Sequence, residues 1–305
     1  MVKKIDVVVI GRDVASTIEC CIDSINKFKA KYGFINTVFY VDSKSLDDSV
    51  LKAKKFGAKI LNLSSENPTA LKGRHHGLKS VQTEYVAFID GDMEIIEGAF
   101  KKALSLLSKH DLIITNRSEA VYNNKLKCFD DIISNFYNRF NDGYVLKIGG
   151  FLLGNTKVLK KLNFHLELPD EEESDLISQY VAMTNKKVFA IKEDGYIHWN
   201  YKSSKSKIKE LLNWKKRTGF ILSFFYSIKE KYFLGYLVVQ KKYILLFLIY
   251  IIMMILSIVD TYLSAFIYLL TLFFLLIFKQ KRFVPTFILF PYKLLSAFII
   301  YISKL

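Results

Sequence analysis

The sequence predicts an α/β fold with a mostly parallel sheet, followed by C-terminal membrane helices. Three observations carry that expectation. Short apolar runs alternate with helix-like segments up to about Trp214, as strands and crossover helices do. One run, Tyr85-Val86-Ala87-Phe88-Ile89, stops on Asp90-Gly91-Asp92. From Tyr243 onward the chain is almost entirely Leu, Ile, Phe and Tyr.

Taken in order, Ile5–Ile10 reads as a buried strand, followed by Gly11-Arg12-Asp13 and an amphipathic helix over Ser16–Phe28. A second strand, Thr37–Val41, ends on Asp42. A helix over Asp47–Phe56 leads through Gly57 to a third strand, Lys59–Leu63. After the loop around Pro68 come another helix and the strand ending on Asp90. In open α/β sheets ligands bind beyond the carboxyl ends of the strands, where Gly11, Asp42 and Asp90 lie.

Asp90 and Asp92 are the sharpest signal among these. Paired carboxylates at a strand end repel each other and lose hydration, so folding gains nothing from them. A hard divalent cation such as magnesium or manganese, bridging to a diphosphate, would make the pair favourable. A solvated Asp-Gly-Asp turn is the plainer alternative.

Past a strand at Asp111–Thr115 the regularity weakens. Gly149-Gly150 before Phe151–Leu153 marks backbone packed close to a ligand or another strand, or a plain strand start. Pro169 opens the acidic run Asp170-Glu171-Glu172-Glu173-Ser174-Asp175, which leads into a helix over Leu176–Met183. Acidic residues in a first turn suit the helix dipole, which by itself explains many such runs. Lys187–Ile191 reads as a further strand, and Tyr196-Ile197-His198-Trp199 follows it.

The apolar C-terminal part contains Tyr243–Val259 and Thr261–Phe278, separated by Asp260. A helix of the first stretch is about 26 Å long, slightly short of a hydrocarbon core of roughly 30 Å. As one helix, the stretch would bury Asp260 at a cost of about 3 kcal/mol; as a hairpin it places Asp260 at the far interface. The hairpin is the expected form, with a buried pair of core helices the alternative. Lys241-Lys242 before it and Lys279, Lys281 and Arg282 after it place the N-terminal domain in the cytoplasm by the positive-inside rule. Phe283–Ile302 contains Lys293 near its middle, which favours a helix lying at the interface.

The net charge is +15, and Tyr201–Lys242 alone holds eleven Lys or Arg against Glu210 and Glu230, a local net of +9. Beside apolar spans, such a segment suits anionic membrane lipids. Nucleic acid is therefore not an expected partner. Val7–Ile10 is too short for the apolar region of a signal peptide. Cys20, Cys21 and Cys128 imply no disulfide framework, in keeping with a reducing compartment.

Together these segments resemble the inverting family 2 glycosyltransferases, which have a GT-A fold, from Val7 to about Gly219. "VVVIGRDVASTIECCIDSI" resembles the family's first strand and helix, with Gly11 and Arg12 at the donor side. "VFYVDSKSLDDSV" resembles its second strand, where the aspartate at Asp42 contacts the nucleotide base. "LKGRHHGLKS" resembles the family's segment with an Arg and a Gly three residues on, where Lys72 and Arg74 would meet phosphate oxygens, and "YVAFIDGDMEI" resembles its metal motif. "PDEEESDLISQYV" resembles the acceptor-side motif, with Glu172-Glu173 in place of the usual Glu-Asp. "YIHWNYKSSKSKIKELLNWKKRTGF" resembles the later His and the basic aromatic segment that follows it.

That resemblance implies a division of labour. Asp92 would hold the metal, with Asp90 nearer the ribose or nucleotide and His198 a third ligand or a diphosphate donor. Glu173 would be the catalytic base, with Glu172 supporting it. The domains expected are a GT-A glycosyltransferase domain over 1–215, a basic juxtamembrane segment over 216–242, and a membrane hairpin with a third apolar segment over 243–305. The expected activity is transfer of a sugar from a nucleotide-diphosphate sugar to a lipid-linked or saccharide acceptor at the cytoplasmic membrane face, with inversion. The alternatives are a polyprenyl-phosphate glycosyl synthase, or a non-catalytic nucleotide-sugar-binding membrane protein. The expected location is the cell membrane, as a multi-pass protein.

Overall fold

Ile5, Val7, Val8 and Val9 have no exposed surface. A strand so buried on both faces belongs at the centre of a parallel sheet. In the computed structural model it does. The structure describes residues 4–123, 128–129, 140–168, 172–200 and 219–241, with 244, 245, 248, 249 and 252. The chain divides into two compact units, the first Met1–Leu166 with Asn185–Ser204, the second Glu167–Thr184 with Lys205–Leu305.

The first unit begins with β1 (Ile5–Gly11), α1 (Ile18–Tyr32), β2 (Ile35–Asp42), α2 (Ser49–Lys55) and β3 (Lys59–Asn62). Next come α3 (Ala70–Ser80), β4 (Tyr85–Asp90), β5 (Met93–Ile95), α4 (Glu97–Leu106) and β6 (Leu112–Asn123). It finishes with β7 (Cys128–Phe129), β8 (Gly143–Val145), β9 (Leu152–Asn155), α5 (Thr156–Leu159) and, after the excursion into the second unit, β10 (Val188–Asn200). The sheet runs β3-β2-β1-β4-β9-β6-β10-β5, with β7 on β6 and β8 on β10. β3, β2, β1 and β4 are mutually parallel, as are β6 and β10. β9 enters antiparallel between β4 and β6.

From β1 the chain winds outward to β2 and β3, then returns to place β4 on β1's other side. That reversal is the topological switch point where such sheets open a crevice. Register brings Gly11 beside Asp42 and Ile10 beside Asp90 at this edge. Helix α3 packs close beneath it because residue 77 is glycine: a Cβ there would drive into Val8 and come within 3.0 Å of Val41.

The loops after β1 and β2 are laced together. Asp13 and Val14 amides donate to Ser45 Oγ (3.0 Å) and Ser49 Oγ (2.8 Å). Ala15 N donates to Asp47 Oδ2 (2.9 Å), and Leu46 N returns a bond to Asp13 Oδ1 (2.7 Å). Lys52 Nζ adds a bond to Ala15 O at 2.8 Å. Asp13 adopts a positive φ of 54°, which Asp tolerates better than most residues.

Two strands run further than the sequence predicts. The segment expected at Asp111–Thr115 continues as β6 to Asn123 because its polar residues find partners inside the sheet. Asn116 Nδ2 donates to Lys192 O (2.7 Å) and Phe140 O (2.8 Å), and Ser118 Oγ to Asp194 Oδ2 (2.7 Å). Lys187–Ile191 and Tyr196–Trp199, read as separate, join in β10, where irregular register on either side of Asp194 absorbs Lys192-Glu193 and Gly195. Such bulges bend a strand and re-aim the side chains beyond it; His198 lies there.

In the second unit, α6 (Glu172–Thr184) starts at the acidic residues instead of at Leu176, as their favourable place at the positive end of the helix dipole allows. It is accompanied by α7 (Gly219–Lys229) and α8 (Phe233–Val239). Among the described residues no helix is long and apolar enough to cross a membrane. The hairpin expected at Tyr243–Val259 and Thr261–Phe278, the segment Phe283–Ile302 and the basic stretch 201–218 fall almost wholly outside the described residues.

Candidate active site

The carboxyl edge of the first unit gathers Gly11, Asp42, Asp90 and Asp92. β4 delivers Asp90, and the turn after it is fixed from both sides. Gly91 N donates to Ile10 O (2.8 Å), while Gly91 O accepts from Thr17 Oγ1 (3.0 Å). Trp199 N then donates to Asp92 O at 2.8 Å, tying the turn to β10. The position of Asp92 is thus set by backbone bonds from two strands.

Asp90 faces inward. Its Oδ1 lies 3.1 Å from Arg74 Nη2, an arginine whose side chain is only 7% exposed on α3. Burial pushes the Asp90 carboxyl above its usual range; Arg74 opposes this, and nearby Asp92 adds to it. Behind Asp90 lies Gly150, where a Cβ would stand 2.5 Å from Asp90 Oδ2 and collide with Met93. The close approach read from Gly149-Gly150 is therefore made by Gly150, against the acidic turn itself.

Asp92 reaches His198. Its Oδ2 lies 3.3 Å from His198 Nε2, and the other ring nitrogen, Nδ1, lies 3.0 Å from Glu119 Oε2. Glu119 has no exposed surface and also pairs with Arg117 Nε at 2.7 Å. Burial works against charge on His198, but hydrogen bonds to Asp92 and Glu119 outweigh it and carry its pKa up to about 9. Arg117, Glu119, His198 and Asp92 thus form one chain of alternating charge.

The sequence reading named His198 and Asp92 but not Arg117 or Glu119. A signal was present. Residues two apart on a strand share a face, so a strand continued through the polar run Thr115–Glu119 would set Arg117 and Glu119 side by side. It was missed because the strand was expected to end before them.

The remaining candidates are placed as follows. The Asp42 carboxylate, nearly buried, accepts from Ser45 N at 3.1 Å. The Arg12 side chain is 52% exposed, 3.7 Å from Asp13. Lys72 Nζ is engaged with Asn67 O (2.7 Å) and Ser65 Oγ (3.3 Å), in the loop before its own helix. Glu172 and Glu173 stand half-buried in the first turn of α6, in the second unit.

The donor set at Asp92 can be tested against a divalent metal. Asp92 Oδ1 is buried and has no hydrogen-bond partner among the described residues, which leaves a hard anionic oxygen available. Among the described residues no three His, Cys, Asp or Glu converge to hold a metal ion. A small divalent ion commonly takes one or two carboxylates and completes its shell with water and substrate phosphates, so the residues fit a metal that arrives with a diphosphate.

The family model described as glycosyl transferase family 2 matches residues 6–162. Among solved structures, a fragment of TarS from S. aureus in complex with UDP-GlcNAc is similar, at 18% identity and TM-score 0.51, over 68% of this chain and 60% of that one. The chain spans 40% of a longer TarS structure, at 18% identity and TM-score 0.52. Glucosyl-3-phosphoglycerate synthase from Mycobacterium tuberculosis, in complex with Mn2+, UDP and glucosyl-3-phosphoglycerate, is 16% identical with TM-score 0.52, over 72% of this chain and 78% of that one. Likeness at this identity establishes the fold. No protein of curated function matches the sequence.

Proposed function

The chain belongs to glycosyl transferase family 2, and from that premise we propose that it transfers a sugar, with inversion, from a nucleotide-diphosphate sugar to a lipid-linked or saccharide acceptor at the cytoplasmic face of a membrane. One observation carries the donor half: a buried Asp92 oxygen without a hydrogen-bond partner among the described residues, beside Asp90 at the carboxyl edge of a parallel strand. Similar folds have been solved with UDP and Mn2+ or Mg2+, which supports a nucleoside diphosphate at this edge. The acceptor half rests on the +9 segment before the apolar C-terminal stretches.

In this reading Asp92, assisted by Asp90, would hold a divalent metal, which would supply Lewis-acid stabilisation of the departing diphosphate, and His198, kept protonated by its acidic neighbours, would donate to that diphosphate. Asp42 meets the nucleotide base, Gly11 and Arg12 flank it, and Lys72 and Arg74 serve phosphate oxygens. Arg74 also holds Asp90 in place through the ion pair. Glu173, supported by Glu172, takes the proton of the acceptor hydroxyl as its oxygen forms a bond to the anomeric carbon. The bond from that carbon to the diphosphate breaks on the opposite face, which inverts the configuration.

The test is nucleotide release from a panel of UDP-, GDP- and dTDP-hexoses by detergent-solubilised protein. Wild type should depend on Mg2+ or Mn2+, and Asp92→Ala should lose both turnover and metal-dependent UDP binding while its melting temperature holds. Equal turnover of the two proteins, with and without chelator, would overturn the metal role.

A further inference from the structure

Two residues beyond Glu173, Asp175 is almost completely buried within the second unit, at 1% exposure. A buried carboxylate is tolerated only when its oxygens are satisfied. Here donors from three helices meet it. Oδ1 accepts from Tyr232 OH at 2.7 Å and from Ser223 Oγ, and Oδ2 accepts from Gln179 Nε2 at 2.9 Å. Gln179 is one turn along α6 itself, whereas Ser223 belongs to α7 and Tyr232 is the N-cap of α8. Burial, and then the Asp175 charge, hold the Tyr232 phenol well above its usual range, so it stays a donor. Gly235 on α8 lets the helices touch backbone to backbone: a Cβ there would collide with Ser178 O and stand 3.0 Å from Ala182.

The first turn of α6 is therefore pinned from one side by two helices of the 219–239 segment. Residues two apart on a helix are rotated by about 200°, so Asp175 and Glu173 occupy nearly opposite flanks of that turn. An anchor on one flank sets the rotation of the other.

We propose that Asp175 is a positioning residue for Glu173, and that through Ser223 and Tyr232 the 219–239 segment is a working part of the transferase. This rests on the assignment of Glu173 as the base. The segment fixes the direction in which the base faces, so its contribution exists for any acceptor, water included. A tether that merely holds the enzyme beside lipid would matter only for a lipid-borne acceptor.

The experiment uses the full-length protein in detergent, with the sugar nucleotide that wild type turns over fastest and water as the acceptor. Tyr232→Phe removes one anchoring bond without changing shape. Its kcat should fall by about a hundredfold, the scale of a misplacement near 1 Å, while the donor KM stays within about twofold. Asp175→Asn, which keeps an acceptor oxygen for Tyr232 and Ser223, should retain much more activity than Asp175→Ala. In a Glu173→Gln background, assayed overnight, Tyr232→Phe should add no further loss, because its effect passes through the base. An unchanged kcat in both Tyr232→Phe and Asp175→Ala would overturn the proposal, as would a full additional loss in the Glu173→Gln background. Glu173→Gln turning over like wild type would instead refute the base assignment, and is read separately from the anchor.

Discussion

Glu119 Oε2 stands 3.0 Å from His198 Nδ1, a contact between a carboxylate with no exposed surface and the imidazole that faces Asp92. Removing one partner of a buried ion pair costs about 3 kcal/mol or more, because the remaining charge is left uncompensated. Glu119→Ala takes a buried counter-charge from both Arg117 and His198, and should lower Tm by roughly 6–12 °C in a thermal scan. Glu119→Gln keeps an acceptor for His198 and should cost less. Asp92→Ala, which removes charge from an already acidic turn, should leave Tm nearly unchanged. The reverse ranking would show that Asp92, and not Glu119, supports the fold.

The adjacent glycines 149 and 150 should respond in opposite ways to alanine. Among the described residues nothing lies within 4 Å of a Cβ at Gly149, whereas one at Gly150 would meet Asp90 Oδ2 at 2.5 Å. Gly150→Ala should displace the Asp90 carboxylate, cost about 1–3 kcal/mol of stability as overpacking does, and depress turnover. Gly149→Ala should match wild type in both assays. Identical behaviour of the two variants would mean that Gly150 does not set the acidic turn.

Glu173→Gln should lower turnover by about two to four orders of magnitude, the usual scale for a lost general base, with donor affinity little changed. Glu172→Gln should do less. Steady-state kinetics on both variants decide which acid acts, and a dead Glu172→Gln beside an active Glu173→Gln would shift the motif by one residue.

The membrane reading is tested by labelling. In a chain whose three native cysteines are replaced by serine, Asp260→Cys should react with an impermeant maleimide from outside, and Ser203→Cys only from the cytoplasm. The intact protein should resist alkaline carbonate extraction. Labelling of both positions from one side would remove the hairpin.

The parallel half of the sheet was legible because its strands announce themselves in two ways. Val7–Ile10 and Tyr85–Ile89 are unbroken apolar runs, and a glycine or an acid at Gly11, Asp42 and Asp90 closes β1, β2 and β4 at one edge. β6 and β10 were harder. Their cores carry Asn116, Arg117, Ser118, Glu119 and Asp194, which look like loop until the partners are known. Local pattern cannot show that Asn116 answers the backbone of Lys192, or Ser118 the carboxylate of Asp194, since each pair is separated by 76 residues. The same long-range pairing hid Glu119. Asp92 and His198 were nameable from sequence, but the buried acid joining them to Arg117 was not.

The lacing between the loops after β1 and β2 has a further consequence. Donors on Asp13, Val14, Ala15 and Leu46 are already matched with acceptors on Asp13, Ser45, Asp47 and Ser49 across the gap. Ordering of that rim is completed when the chain folds, so a small molecule arriving there gives up its own freedom and little of the protein's. Two segments about thirty residues apart in sequence then behave as one stiff lip, and loosening either at Ser45 or Ser49 slackens the backbone beside Gly11 on the other strand.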